Sequence, residues 1–203
     1  MSTVRTLTLS DSALPGVTVL RDAALVLGAS LVTALAAQVA VPLPGSPVPL
    51  TGQTFAVLLT GAALGARRGF LAQALYLLEG ASGLPVFAGG LGGAWLFAGP
   101  TGGFLAAFPL AAAVTGILAS PGRARGAAGP VRARRFATML AAMLLGSAVI
   151  LAVGGAWLTR FLPAPQALAA GVWPFVPGDL VKSVAAALLL LSPWRALRGR
   201  AGA

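Results

Sequence analysis

The 203-residue sequence predicts an all-α integral membrane protein with six transmembrane helices, both termini cytoplasmic, and long irregular loops on the outer side. Three observations carry that prediction. Apolar residues make up 58% of the chain and charged residues only 9%, far below the roughly one quarter charged that is usual in soluble domains. Residues 23–66 and 80–122 contain no Asp, Glu, Lys or Arg, and each stretch exceeds the roughly 20 apolar residues that a helix needs to cross a bilayer. The basic residues gather where those stretches end, at Arg5 and Arg21, Arg67 and Arg68, Arg123 to Arg135, and Arg195 to Arg200, which is the pattern of cytoplasmic loops.

Residues 1–22 read as a cytoplasmic lead-in, because Asp11, Pro15 and several Ser and Thr lack the basic-then-apolar design of a cleavable signal peptide. The first helix follows the Arg21-Asp22 pair, runs from about Ala23 to Val41, and stops at Pro42, Pro44 and Pro47, which fix φ and remove donors. PLPGSPVPLTG at 42–52 is therefore extended or turning. A second span covers Thr54–Ala66 and a third Gly69–Glu79, both short, with Arg67-Arg68 between them. Nine glycines and two prolines between Gly80 and Gly103 forbid a continuous helix and predict a structured loop. The fourth span, Thr101–Ala119, leads into the polar linker SPGRARGAAGPVRARR. The fifth covers Phe136–Thr159, a proline-bearing connection occupies 160–177, and Asp179–Trp194 is the sixth. The membrane domain thus spans 23–195, with a basic cytoplasmic tail at 196–203.

Counting tests this topology. Six spans with both termini inside place 12 of the 14 basic residues on one face; Arg160 falls outside and Lys182 lies within the sixth helix. A five-span arrangement breaks the alternation. The same distribution removes nucleic acid as a partner despite the net charge of +10, because the cations bound apolar segments and form no binding stripe. The partner they indicate is a lipid bilayer, the cytoplasmic membrane of a bacterial cell. With no cysteine and no histidine, thiolate and imidazole metal sites are out of reach, and no metal or cofactor is indicated. An intramembrane enzyme needs paired acids, histidines or an activated serine, and four scattered acidic residues do not supply them. Nor do the glycines of VFAGGLGGAWLFAGPTGG form a phosphate loop, since no Gly-Lys-Ser or Gly-Lys-Thr follows.

Ionisable groups inside apolar segments are costly, which makes them functional candidates. Asp179 and Lys182, spaced i, i+3, share one face of the sixth helix just after Pro177-Gly178. The lysine calls for an anionic or strongly accepting partner, either Asp179 or a ligand that completes the pair. A structural ion pair with Lys182 snorkelling outward is the other reading. Thr51, Gln53 and Thr54 offer uncharged donors and acceptors where the proline-rich segment meets the second helix, suited to a small-molecule site or to capping. Glu79 is expected as a solvated carboxylate at the outer interface. Phe87, Trp95 and Phe97 sit in a glycine-rich loop able to fold over an apolar ligand, while interfacial anchoring is the alternative for Trp95 and Trp157. Small residues recur at Ala29, Thr33 and Ala37, and at Gly61, Gly65 and Gly69, a spacing that permits close helix contact, whether internal or with a partner.

Four segments in order, PLPGSPVPLTGQTFAVLLTGAALGARRG, GLPVFAGGLGG, GPTGGFLAAFPLAA and PFVPGDLVK, resemble the BioY family, the biotin-specific substrate-binding (S) components of energy-coupling-factor (ECF) transporters. The resemblance covers about residues 20–192. It implies a six-helix fold without enzymatic activity that captures biotin at the outer face and delivers it to the cytoplasm, together with a membrane coupling protein and ATPase subunits. A solitary transporter, or an S component for another small vitamin, is the alternative. By the same resemblance Asp179 and Lys182 contact the biotin head group, with Thr51 and Gln53 beside them. Phe87, Trp95 and Phe104 meet its apolar body, and Ala29, Thr33 and Ala37 dock the coupling protein. Glu79 departs from the family pattern, and the glycine-rich loop holds no cation to meet the biotin carboxylate.

Overall fold

The computed structural model describes residues 19–120 and 130–191; the lead-in before residue 19, Arg123 and Arg125 of the linker, and the basic tail lie outside the described residues. The chain opens with α1 (Val19–Ala37), which begins before the expected Ala23 because nothing in VLRD opposes a helix. It also ends before Val41, where the proline-rich segment takes over: β1 (Ala40–Val41) and β2 (Leu50–Thr51) pair antiparallel around a turn at Gly45, φ 77°.

Two helices then follow with a single residue between them. α2 (Gln53–Leu64) and α3 (Ala66–Ala81) are separated by Gly65, whose φ of 82° lets the chain reverse without a loop. The third span therefore starts at Ala66 and not Gly69, and Arg67 and Arg68 lie inside its first turn, as good helix formers can. Arg68 Nη2 reaches Asp22 Oδ1 of α1 at 2.9 Å, tying the two first turns together.

The glycine-rich loop is ordered by its own contacts. Two 3₁₀ turns, Ala88–Gly90 and Ala94–Ala98, occupy it, and the Gly93 N–H donates to Gly80 O at 2.7 Å. α4 (Gly102–Leu118) carries Pro109 without breaking. α5 (Val131–Leu158) starts ahead of the expected Phe136, because its arginines continue the helix. The connection read from sequence as irregular contains a short helix, α6 (Ala164–Gly171), preceded by Pro163 and with Pro165 in its first turn, where a missing N–H costs nothing. α7 (Phe175–Leu191) begins ahead of the expected Asp179.

Three segments are long and apolar enough to cross a membrane, Val19–Ala37, Ala133–Leu158 and Ala164–Leu190, and two shorter helices, Gln53–Leu64 and Gly102–Leu118, are apolar. Large apolar side chains face outward along the bundle, among them Leu35, Leu78, Leu110, Leu145 and Val181, as in a protein solvated by lipid. In lipid, apolar surface does not drive helices together, so close backbone approach and interhelical hydrogen bonds must hold them. The interior is built that way: a Cβ on Gly61 would lie 2.4 Å from Ala112 O, and one on Gly154 would lie 2.2 Å from the Phe104 ring.

The small-residue face of α1 takes part in this packing. Ala29, Thr33 and Ala37 are all buried, Thr33 and Ala37 completely. Thr33 Oγ1 donates to Ala29 O and accepts from Gln73 Nε2 of α3 at 3.0 Å; Gln73 also donates to Thr60 Oγ1 of α2 at 3.1 Å. Small residues admit close contact, and here the contact is internal.

Candidate ligand site

The first turns of α2 and α4, the opening turns of α7 and the later half of α5 surround a cavity of about 480 Å³, counting the space at its mouth. Phe104, Leu105, Phe108, Ile150 and Phe175 supply an apolar wall, and Thr51, Gln53, Thr54, Asp179 and Lys182 supply a polar end. Chain order explains the convergence: the proline- and glycine-rich connectors before α2, α4 and α7 deliver the starts of those helices to the same end of the bundle.

Asp179 and Lys182 sit in the second turn of α7 and beyond, because the helix begins at Phe175. The helix dipole therefore adds little at Asp179, since that effect fades beyond the first turn. Direct partners replace it. Asp179 is 3% exposed; its Oδ2 accepts from Ser147 Oγ of α5 at 2.5 Å, and its Oδ1 from Thr54 Oγ1 at 3.2 Å and Lys182 Nζ at 3.3 Å. Lys182 Nζ also donates to Thr51 O at 2.8 Å and Thr54 Oγ1 at 2.9 Å. Its three N–H groups are thus matched by three acceptors. Buried charges persist only when paired and hydrogen-bonded, and this pair is both.

Gln53 is positioned from two sides. Thr51 Oγ1 donates to its Oε1 at 2.9 Å, and its Nε2 donates to Tyr76 OH of α3 at 2.7 Å. Tyr76 OH in turn donates to Val86 O at 3.0 Å, so one hydrogen-bonded chain joins the cavity to the glycine-rich loop. Sequence reading missed Ser147 and Tyr76. Their signal is present: Tyr76 is the chain's sole tyrosine, and Ser147 is a hydroxyl midway along an apolar span.

Of the expected aromatic contacts, Phe104 lines the cavity but Phe87 and Trp95 do not. Phe87 is 3% exposed and packs edge-on to Tyr76, with ring centroids 5.4 Å apart, against the face of Gly80 where a Cβ would collide with the ring. It secures the loop. Trp95 is 63% exposed on the loop surface. Glu79 is also corrected: it is half-buried and accepts a hydrogen bond from the fully buried Ser30 of α1.

Comparison with known proteins gives a consistent picture. Residues 5–199 match the BioY family. The probable biotin transporter BioY of Pyrococcus horikoshii is 40% identical over 157 residues, 77% of this chain and 86% of that protein. The biotin transporter BioY of Rhizobium etli is 41% identical over 162 residues, 79% of this chain and 86% of that protein. Among solved structures, the S-component for biotin from an ECF-type ABC transporter shares the fold, with a TM-score of 0.76, 22% identity, and coverage of 89% of this chain and 95% of that one.

Proposed function

The chain belongs to the BioY family, and on that premise we propose that it captures biotin at the outer face of the membrane and delivers it to the cytoplasm as the substrate-binding subunit of an ECF-type transporter. The relatives at about 40% identity are named as biotin transporters, and none of the chemistry in the cavity calls for an enzyme. The observation that carries the site assignment is a buried carboxylate paired with a half-buried ammonium at the polar end of an otherwise apolar cavity.

The chemistry fits the two ends of that cavity. The ureido ring of biotin has two N–H donors and one carbonyl, which match the Asp179 carboxylate and the Lys182 ammonium. Thr51 and Gln53 stand beside the ring, and Phe104 meets the thioether and valeryl portions. Ser147 and Thr54 already orient the Asp179 carboxylate, which favours affinity, and Lys182 exchanges one of its three acceptors for the ureido carbonyl.

Six membrane crossings with cytoplasmic termini agree with the placement of 12 of 14 basic residues on one side. That arrangement puts the cavity at the outer end of the bundle, in the cytoplasmic membrane of a bacterial cell, with a membrane coupling protein and ATPase subunits on the inner side. Equilibrium binding of labelled biotin to the purified chain, in detergent without metal or nucleotide, tests the reading. Asp179→Asn weakens binding by about tenfold or more. Unchanged affinity in that variant removes the site assignment, and no binding by the unsubstituted chain removes the vitamin reading.

A further inference from the structure

Biotin is an anion through its valeryl carboxylate, and the cavity lining contains no cation besides Lys182, which the biotin reading commits to the ureido carbonyl at the other end of the ligand. Resting on the biotin reading, we propose that Arg160, exposed just beyond α5, receives the carboxylate of the ligand and sets a preference for acids over their neutral amides.

The other arginines among the described residues belong to the opposite end of the bundle: Arg21, Arg67 and Arg68 in the first turns of α1 and α3, and Arg132, Arg134 and Arg135 at the start of α5. Arg160 alone stands at the end where α2, α4 and α7 begin and the cavity lies. Its guanidinium is held in place, with Cζ 4.1 Å from the centroid of the Trp157 ring. Stacking of this kind occupies one face of the guanidinium and leaves its N–H edge free for a planar carboxylate.

Trp157 is itself fastened to the segment that carries Thr101 and Phe104. Its Nε1 donates to Gly99 O at 2.9 Å, and its Cβ occupies the space left by Gly103, where an added Cβ would come within 2.1 Å. Thr101 and Phe104, on either side of that contact in the chain, line the cavity. Gly103 thus brings α5 close to α4, Trp157 presents Arg160 over this segment, and a ligand with its ring at Lys182 and its body along Phe104 extends its tail toward it. The glycine-rich loop lacks a cation of its own; the next connection supplies one.

The test compares biotin with biotin amide, whose carboxylate is replaced by a neutral carboxamide, on the unsubstituted chain and on Arg160→Gln and Arg160→Lys. The unsubstituted chain binds biotin about tenfold more tightly than the amide. Arg160→Gln lowers biotin affinity to that of the amide and leaves amide affinity unchanged; Arg160→Lys restores part of the difference, because an ammonium lacks the planar fork. The preference also shrinks as salt rises, since Arg160 is exposed. Equal effects of Arg160→Gln on both ligands, as expected if the guanidinium only anchors lipid phosphates, overturn the assignment, and so does no effect on either. Failure of the unsubstituted chain to bind either ligand overturns the biotin reading and this inference with it, whereas the preceding outcomes overturn Arg160 alone.

Discussion

Two clusters of buried and half-buried polar side chains cross this apolar bundle, and they differ in what they border. Thr33, Gln73 and Thr60 link α1, α2 and α3; Thr33 and Gln73 are fully buried and none of the three lines the cavity. Asp179, Lys182, Thr54 and Ser147 link α2, α5 and α7, and three of those four face the cavity. The first cluster is neutral and leaves one acceptor, Gln73 Oε1, without a partner among the described residues. The second carries both signs of charge with partners on each. Polar burial alone therefore does not mark a site here. Charge that borders open space does, because only there does a ligand have polar groups to meet.

The largest effect that sharpens this contrast comes from Lys182→Met. It strands the Asp179 carboxylate, which costs about 3–5 kcal/mol for a buried pair broken on one side, and biotin binding falls by more than about a hundredfold. Chemical unfolding in detergent together with equilibrium binding reads both; a stable variant with intact binding breaks the contrast. Ser147→Ala removes one hydrogen bond to a charged group, and affinity falls by about tenfold with the fold retained; unchanged affinity means that Ser147 does not orient Asp179. Gln73→Leu gives the smallest effect. Interhelical hydrogen bonds in membranes average about 0.6 kcal/mol, and the substitution also removes an unpartnered acceptor, so stability changes by less than about 1 kcal/mol. Biotin affinity stays within about twofold, and a large loss erases the distinction between the clusters.

Much of this was legible in the sequence because the membrane simplifies it. The apolar spans, the loops between them and the Asp179–Lys182 pair follow from where charge is tolerated, which is a local property. The element boundaries moved by a few residues where arginines extend helices, at Ala66 and Val131, since helix propensity continues past the apolar segment. α6 was hidden because prolines disfavour helix interiors yet suit helix starts. Ser147 and Tyr76 were not legible as partners: each meets the site through a contact between residues far apart in the chain, and neither carries charge to draw notice. The face of Ala29, Thr33 and Ala37 was ambiguous in the sequence for a different reason. Small residues serve internal and external contacts equally well, and only the fold shows that Thr33 already has partners in α1 and α3.

Whether the Asp179–Lys182 pair grips the ureido ring is read on the bound ligand itself by isotope-edited infrared difference spectroscopy of biotin labelled with ¹³C at the ureido carbonyl. An ammonium donor lowers the carbonyl stretch below its position in water, and that lowered band is expected in the unsubstituted protein. A bound-state band at higher frequency, as in an apolar solvent, would contradict it.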